Sequence, residues 1–490
     1  MGSLSPRDHH QQGFHLLANN SSSGGGGESP TQESTDRSSY KRDESKPRAE
    51  ELVESGRCTD SRACPCVDCL SDNAAQPGHS TFFQATINAF VLLIGLGTLS
   101  SAYAVERCGF LGLAVLCITA TFFWMGSKLV CLCMEPDESL RNYQDVAAKA
   151  FPRWGRLLIT TFFYIDILGS LVGYMVSMGD TMLLIFPRSH LRVLGFTGKT
   201  IFTCIAFLVI LPTVWFRKLS TISYLSFWCA ISILVTIVCL LVAGIKNNIG
   251  FDQDVAVFRP RNVPIATGVY TFTFGATAVL PNVYRSMKSP GRFSEVLLHP
   301  LPLPHKNFVL TLSFAMATLL NVIVGIIGSV MFGAQTKAQV HLSMPPNLLA
   351  SKVAIWATLI TPVTQFALFL SPISCELEGV LLPRLPWRSD SRLVHAASMA
   401  LRTALLLGIT LGALLFPYFA NIIELIGSSV SVTLCVVFPC VFYVKIFYRS
   451  LIQAQQRWRL VGIVGIVVVS ALAGVAGTVV SIQDLVRKKN

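Results

Sequence analysis

Four polar side chains interrupt apolar stretches of this chain. Asp166 follows Tyr164 and an isoleucine, and Glu424 stands early in a later run that continues into Gly-Ser-Ser. Thr361 and Thr364 surround a proline in a third run. A carboxylate inside an apolar span is costly unless it faces the interior of the protein or a partner. We therefore predict that these four residues handle a proton or a cation, and Asp166 could instead contact the amine of a substrate.

Three of these positions also have a plain structural explanation, and Glu424 could face a vestibule. Asp166 could pair with a buried lysine or arginine, or lie near the membrane edge, where water reaches it. The hydroxyls of Thr361 and Thr364 could coordinate a sodium ion, or the segment could be an ordinary proline kink. The sequence leaves these alternatives open.

Glycines and hydroxyls interrupt the first apolar stretch near its middle. The run from Asn88 to Tyr103 carries, at this point, Gly95, Gly97, Thr98, Leu99 and Ser100. Glycine weakens a helix, and backbone groups freed in lipid are tolerated only where they face a cavity or other protein. Such a break supplies oriented donors and helix ends for the charged groups of a zwitterion. The alternative is an unbroken helix that packs closely through its two glycines.

A matching interruption lies five apolar stretches later. There Phe272, Phe274, Gly275 and Thr277 precede Pro281 within one stretch. Two interrupted helices at corresponding positions of two five-helix halves are typical of an inverted-repeat transporter. The pair favours a broken first helix over simple packing, and it predicts a substrate site between the two breaks.

Enzyme and metal motifs are missing from the sequence. It contains no nucleotide-binding loop, no nucleophile elbow and no His-Glu-x-x-His zinc motif. We expect no catalytic residues, no cofactor and no bound metal. This pattern disfavours an ATP-driven pump and a membrane hydrolase.

The composition predicts an all-α polytopic membrane protein. The 490 residues are 52% hydrophobic and 13% charged, about half the charged share of a soluble domain. Eleven transmembrane helices are expected, each of about 20 residues. The predicted spans are 82–104, 109–133, 156–186, 199–216, 221–245, 264–284, 308–332, 349–374, 396–416, 421–446 and 459–482.

Charge divides the chain into an acidic tail and a basic membrane domain. Residues 1–79 are rich in Ser, Gly and acidic residues, and we predict a disordered tail. Residues 80–490 form the transmembrane domain, whose basic excess sets topology rather than binding nucleic acid. Seventeen Lys or Arg residues fall in the loops that share a side with the tail, against about twelve opposite. This bias predicts a cytosolic N-terminus.

Several segments resemble the plant vacuolar amino acid transporter branch of the amino acid/auxin permease family, which is related to the vesicular inhibitory amino acid transporters. The segments that carry the resemblance are Asn88 to Tyr103, Gly155 to Asp180, Leu211 to Trp215, Ile222 to Ser226, and Pro281 to Met287. The resemblance runs from about residue 80 to the end and implies a LeuT-like core. It further implies transport of neutral amino acids, driven by the proton gradient of an acidic compartment.

The resemblance also assigns roles to residues at the two breaks. Gly95, Gly97, Thr98, Leu99 and Ser100 would line the carboxylate side of the substrate. The ammonium and side-chain side would be lined by Phe272, Phe274 and Gly275, with Thr277 close by.

The chain departs from this family at three places. Ala102 replaces a usual proline, Thr277 stands where many relatives have histidine, and residues 299–306 form a proline-rich insertion that we predict to be a loop. These departures bear on coupling and selectivity.

The sequence therefore favours a secondary active transporter of neutral amino acids in the vacuolar membrane or another endomembrane. Its partners would be an amino acid, protons and the lipid bilayer. Two rival hypotheses remain: an amino acid sensor that signals through its tail, and a carrier of auxin or another organic acid.

Overall fold

The computed structural model describes most of the region predicted to lie in the membrane. The described residues are 82–137, 139–140, 142–186, 198–215, 219–246, 251, 253–286, 309–382, 391–453 and 457–489. The predicted disordered tail, its cysteines and the 299–306 insertion lie outside this set.

The described chain is helical, as predicted, and its helices correspond to the eleven expected spans. Eight helices are long and apolar enough to cross a membrane, and one bent pair makes a ninth crossing. The shorter apolar helix Gly198–Val214 and the interrupted segment from Val263 to Ser286 complete the series. The chain is therefore a multi-pass membrane protein.

We number these helices as spans 1 to 11. In order they are Phe82–Leu93 with Leu96–Cys108, Gly112–Met134, Gly155–Ile185, Gly198–Val214, Leu219–Lys246, Val263–Thr273 with Leu280–Ser286, Val309–Phe332, Leu349–Leu381, Ser391–Leu415, Phe419–Ile426 continuing to Gln453, and Arg457–Lys489.

Span 1 is broken where the glycines predict a break. Its two halves, Phe82–Leu93 and Leu96–Cys108, meet at an angle of 54°. Gly95 is extended at the break, with φ −173°. The second half begins at Leu96, where the N–H groups of Leu96 and Gly97 have no acceptor within their own helix, whereas that of Thr98 donates to the carbonyl of Gly95 at 3.1 Å. These donors lie at the level of the break, inside the protein.

Span 6 is broken at the predicted position as well. Its first half ends at Thr273, a 3₁₀ turn runs over Gly275–Val279, and the helix resumes at Leu280. The paired breaks in spans 1 and 6 agree with the predicted LeuT-like organisation of two five-helix halves.

Span 10 contains an irregularity that was not predicted. Between its α-helical ends, residues Gly427–Ser431 and Thr433–Val437 form π-helix. A π-helical turn carries one more residue than an α-helical turn and is frequent at functional sites. Here it lies against span 6, where Gly427 approaches the backbone of Gly268 and Phe272.

Two polar contacts hold the surrounding helices in place. On span 8, the buried Glu378 accepts hydrogen bonds from Ser398 at 2.6 Å and from the Arg402 Nε at 2.7 Å, both on span 9. The hydroxyl of Tyr143, on the short loop helix Tyr143–Ala150, donates to the carbonyl of Leu434 at 2.7 Å. The second contact ties the loop between spans 2 and 3 to the π-helical part of span 10.

Candidate transport site

A small cavity of about 40 Å³ lies between the two helix breaks. Spans 1, 3, 6 and 8 contribute its walls. It has room for about three water molecules, so it must widen to admit an amino acid. Its lining residues are Leu92, Ile94, Gly95, Gly97, Phe163, Asp166, Ile167, Ser170, Tyr174, Phe272, Thr273, Gly275, Ala276, Ala278, Val279 and Phe369.

Asp166 is the one charged residue in this lining. Its side chain is buried, and the hydroxyl of Ser431 donates to its Oδ1 at 2.5 Å. No ion pair to Asp166 occurs in the part of the chain that the structure describes, so the predicted alternative of a buried Lys or Arg partner finds no support there. A buried carboxylate held only by a hydroxyl can bind a proton or a cation.

Asp166 lies beside the break in span 6. A Cβ atom on Gly275 would be 3.8 Å from its Oδ2 and 2.9 Å from the hydroxyl of Ser431. The thiol of Cys435 donates to the carbonyl of Gly275 at 3.2 Å. The π-helical part of span 10 therefore places two side chains at the break and connects it to the carboxylate.

Tyr174 lies beside the break in span 1. Its hydroxyl is 3.1 Å from the position that a Cβ of Gly95 would take, and its ring stacks on Phe369 at 6.2 Å. Asp166, Ser170 and Tyr174 are four residues apart and share one face of span 3. Two helical turns, about 12 Å along the axis, therefore separate the levels of Asp166 and Tyr174.

Gly97 has a packing role in addition to lining the cavity. A Cβ atom there would lie 2.7 Å from the Cα of Thr273 and 2.6 Å from its hydroxyl oxygen. Only glycine allows spans 1 and 6 to approach this closely. The sequence analysis considered close packing through the two glycines as an alternative to a broken helix. Gly97 does pack closely against span 6, although the helix is also broken.

Five of the predicted substrate residues do not line this cavity: Thr277, which lines a second cavity, and the four residues Thr98, Leu99, Ser100 and Phe274. Thr98, Leu99 and Ser100 are fully buried in the first turn of the second half of span 1, and the Ser100 hydroxyl donates to the carbonyl of Leu96. Phe274 packs between the rings of Phe123 and Phe314. These four residues support the breaks through backbone geometry and packing.

Thr277 lines a second, smaller cavity of about 10 Å³. The loop-helix residue Tyr143 and Cys435 also line it, and Ala278 borders both cavities. The Thr277 hydroxyl has no hydrogen-bond partner among the described residues. It lies on the other side of the span 6 turn from the main cavity.

Thr361 and Thr364 lie where span 8 packs against span 5, away from the cavity lining. The hydroxyls of Thr361 and Ser232 are 2.8 Å apart, and Thr364 donates to the carbonyl of Thr361 at 2.9 Å. Both hydroxyls are engaged within protein. Gln365 is the nearest span 8 side chain to the break, with its Nε2 3.8 Å from the Cβ position of Gly95.

Glu424 lies in a separate place from Asp166. The hydroxyl of Tyr103, on the second half of span 1, donates to its Oε1 at 3.4 Å, and its side chain is buried. The guanidinium of Arg107 lies 5.2 Å from the ring centre of Tyr103. Glu424 therefore belongs to a contact between spans 1 and 10 rather than to the cavity.

The sequence analysis missed Tyr174, Ser431 and Phe369 as site residues. Tyr174 follows Asp166 by eight residues, which is two turns on the same helix face, and this spacing was a usable signal. Ser431 and Phe369 have no such signal, because they reach the site only through helix packing.

A family model described as "Transmembrane amino acid transporter protein" matches residues 78–483. The chain belongs to this family. It is 34% identical to Amino acid transporter AVT1E of Arabidopsis thaliana, over 83% of this chain and 74% of that protein. It is 24% identical to the vesicular inhibitory amino acid transporter of Xenopus laevis, over 85% of this chain and 80% of the other.

Among solved structures, MhsT in complex with L-phenylalanine aligns with a TM-score of 0.43 and 12% identity, covering 83% of this chain and 99% of that one. Membership of the transporter family agrees with the predicted resemblance. It also agrees with a small-molecule amino acid as substrate and with the membrane as surroundings.

Proposed function

We propose that this protein carries neutral amino acids across the vacuolar membrane or another endomembrane by alternating access, driven by protons. The observation that carries the proposal is Asp166, a buried carboxylate in a cavity between two helix breaks, with a serine hydroxyl as its hydrogen-bond donor. Family membership supports amino acid transport, and the carboxylate supports the coupling ion.

The substrate would bind with its carboxylate at Gly95 and Gly97. There the second half of span 1 begins, and the positive end of a helix favours an anion. Its ammonium group would face the end of the first half of span 6, near Phe272 and Gly275, where the last carbonyls of the helix lack intrahelical hydrogen-bond donors. The remaining predicted substrate residues would act by shaping the two breaks.

The lining supports a neutral substrate rather than an organic anion. Apart from Asp166, the lining residues are apolar, aromatic or uncharged, and no lysine or arginine is among them. A carrier of auxin or another organic acid would need a cation there to balance the substrate carboxylate.

Asp166 would carry the coupling proton. A protonated carboxyl can be buried during the conformational change, whereas a charged one is strongly disfavoured in an apolar interior. Asp166 and the substrate would thus load together before the site changes sides. Glu424, Thr361 and Thr364 contact neighbouring helices and not the cavity. They would therefore affect transport only through the packing of those helices.

The test is uptake by the full chain in proteoliposomes. The probes are labelled alanine, leucine, glutamine, glutamate and lysine, each measured with and without an imposed pH gradient of two units. One transported proton per substrate sustains accumulation of at most about 100-fold under this gradient, because each pH unit is a factor of ten. Accumulation that is unaffected when the gradient collapses would overturn proton coupling.

The variant Asp166→Asn tests whether Asp166 carries the coupling proton. We expect this variant to lose gradient-driven accumulation while retaining exchange of labelled for unlabelled substrate. The matched control is Asp145→Asn, at the third residue of the loop helix, outside the spans, where the carboxylate accepts a hydrogen bond from the backbone of the capping residue Asn142. A sensor without net flux would bind amino acid but show no accumulation in any condition.

A further inference from the structure

Part of the segment between spans 7 and 8 is buried in the protein, although Ala334, Gln335 and Lys337 within it are exposed. It consists of two 3₁₀ turns, Gly333–Gln335 and Val340–Ser343, joined by a short stretch. The side chains of Gln339 and His341 are 0% exposed. Loops usually run over a surface, because their backbone groups need water. A loop that buries the side chains of a glutamine and a histidine is therefore unusual, and its polar contacts need an explanation.

Span 3 holds both polar side chains of this segment. The hydroxyl of Ser177 donates to the Oε1 of Gln339 at 2.9 Å, and the hydroxyl of Thr181 lies 3.2 Å from the Nε2 of His341. Ser177 and Thr181 are four residues apart and lie on one face of the helix. The Nδ1 of His341 has no hydrogen-bond partner among the described residues.

The segment also contacts the mobile part of the expected transport cycle. A Cβ on Gly328 of span 7 would lie 2.5 Å from Ala102 and 2.7 Å from the Cγ2 of Val340. Val340 therefore packs beside the second half of span 1, the half that begins at the break. Movement of this segment towards or away from span 3 would therefore be coupled to the position of the second half of span 1.

The charges on the elements around His341 do not act on it. Burial alone lowers the pKa of His341, to about 3. Asp180 is paired with Lys199 at 2.5 Å, and Glu106 is paired with Arg259 at 3.1 Å. The charged groups at this end of spans 1, 3, 4, 7 and 8 and of the adjoining loops, in the described part of the chain, are Glu106, Arg107, Asp180, Lys199, Asp254, Arg259, Arg261, Lys337 and Lys352.

We infer that His341 is a second proton-binding site, which keeps the 333–344 segment docked on span 3 while neutral and releases it when protonated. The inference rests on the proposed proton-coupled transport for its physiological meaning. This loop lies on the side opposite the N-terminus, because an odd number of spans precedes it. If the N-terminus is cytosolic, the segment faces the acidic lumen.

The direction of the effect follows from proton linkage. The docked histidine is buried and neutral, whereas a released imidazole in water has a pKa of about 6.5. The released state therefore binds one more proton below this pH, and acid favours it. Between pH 7.5 and pH 4.5, the ratio of released to docked segment rises by about a hundredfold for a site whose docked form stays neutral.

The test is a distance measurement on the full chain in lipid nanodiscs. Spin labels are placed on cysteines substituted for the exposed residues Lys337 and Leu183, in a background whose tail cysteines, Cys117 and Cys204 are serine. Pulsed electron resonance at pH 7.5 and pH 4.5 reports the distance from the segment to span 3. We expect a longer distance to appear at pH 4.5.

His341→Gln should remove this pH response. The Thr181 hydroxyl already donates to the carbonyl of Ser177, so the glutamine amide can replace the imidazole as a donor to Thr181, and it does not titrate. The matched control is His395→Gln, at an exposed histidine near the start of span 9, which should respond to acid as the parent does. A response to acid that persists in His341→Gln overturns the inference. It would leave the proposed function intact, because Asp166→Asn and the pH-gradient experiment test that separately.

A second variant applies if His341→Gln does not fold. Thr181→Val removes the hydrogen bond to the imidazole and leaves the titrating group in place. We expect more of the longer distance at pH 7.5, with a further increase at pH 4.5. Distances identical to those of the parent at both pH values also overturn the inference.

Discussion

Asp166 and Glu378 are both carboxylates buried among the helices, and their surroundings differ. Glu378 receives a guanidinium and a hydroxyl, from Arg402 and Ser398 on the neighbouring span. Asp166 receives one hydroxyl, from Ser431, and borders a cavity. The ion pair fixes the Glu378 carboxylate between two spans, whereas the single hydroxyl leaves the Asp166 carboxylate at the edge of a cavity. Under the proposed function, the comparison separates an acid that holds helices together from an acid that would carry the coupling proton.

The largest expected effect on stability comes from breaking the paired acid. Glu378→Ala leaves the buried Arg402 without its partner, and this should lower the free energy of unfolding by about 3–5 kcal/mol. Thermal unfolding of the purified protein in detergent measures the loss. Glu376→Ala, an exposed position two residues away, is the matched control and should change stability little. Equal losses in both variants would contradict the comparison.

Replacing both partners should recover most of this stability. Glu378→Leu together with Arg402→Met substitutes apolar contacts for the ion pair, and such replacements are often neutral or stabilising. The double variant should therefore unfold at a higher temperature than Glu378→Ala. If it is no more stable than Glu378→Ala, the pair has a role beyond mutual neutralisation.

The two glycines of the first break should differ in a predictable way. Gly97→Ala forces a Cβ against the backbone of Thr273, which cannot move aside, and should cost about 1–3 kcal/mol of stability. Gly95→Ala meets only the hydroxyl of Tyr174, the end of a side chain that can move. We expect near-normal stability for Gly95→Ala and a raised KM for uptake, because the added methyl enters the cavity. The opposite ranking in thermal unfolding would refute this assignment.

Asp166→Asn should have little effect on folding. No ion pair is lost among the described residues, and the amide can still accept a hydrogen bond from Ser431, so the free energy of unfolding should stay within about 1 kcal/mol of the parent. The measurement is the same thermal unfolding as for Glu378→Ala. A loss as large as in that variant would mean that Asp166 also holds the helices together, and the comparison would fail.

The smallest effect is expected at the loop between spans 2 and 3. Asp137 contacts Lys149 at 2.6 Å at the surface, and hydrogen bonds from Lys149 and Ser139 lower its pKa from 3.8 to about 2. Because the pKa is lowered on folding, any stabilisation is present above about pH 4 and disappears as pH falls towards 2. Lys149→Met should leave thermal unfolding unchanged at pH 7 within error. A clear loss there would show that this loop contributes more than surface charge pairs usually do.

Much of the fold could be predicted from the sequence because lipid imposes strict local rules. Each crossing needs about 20 apolar residues and a satisfied backbone, so span positions follow from runs of residue types. Gly95 and Gly275 were predictable as breaks for the same reason: glycine weakens the local helix. The irregular turns of span 10 were not predictable, because Gly427 to Val437 contain no residue pattern that distinguishes π-helix from α-helix.

Part of the candidate site was predictable as well. Asp166 stood out because a carboxylate within an apolar run is rare, and it does line the cavity. Glu424 and Thr361 stood out by the same reasoning and lie elsewhere, because a polar residue in a span can equally satisfy a neighbouring helix. Residue type therefore identified candidate site residues. It could not distinguish a residue that lines the cavity from one that contacts a neighbouring helix.

The sequence by itself determined that the chain crosses a membrane many times, that spans 1 and 6 break, and that the acid Asp166 lies within the apolar run of span 3. These are local properties, set by hydrophobicity and glycine. Only the tertiary structure decided which partners meet: Ser431 contacts Asp166 across 265 residues, and Thr181 contacts His341 across 160. Such pairings depend on how helices pack in three dimensions, which no local pattern of residues records.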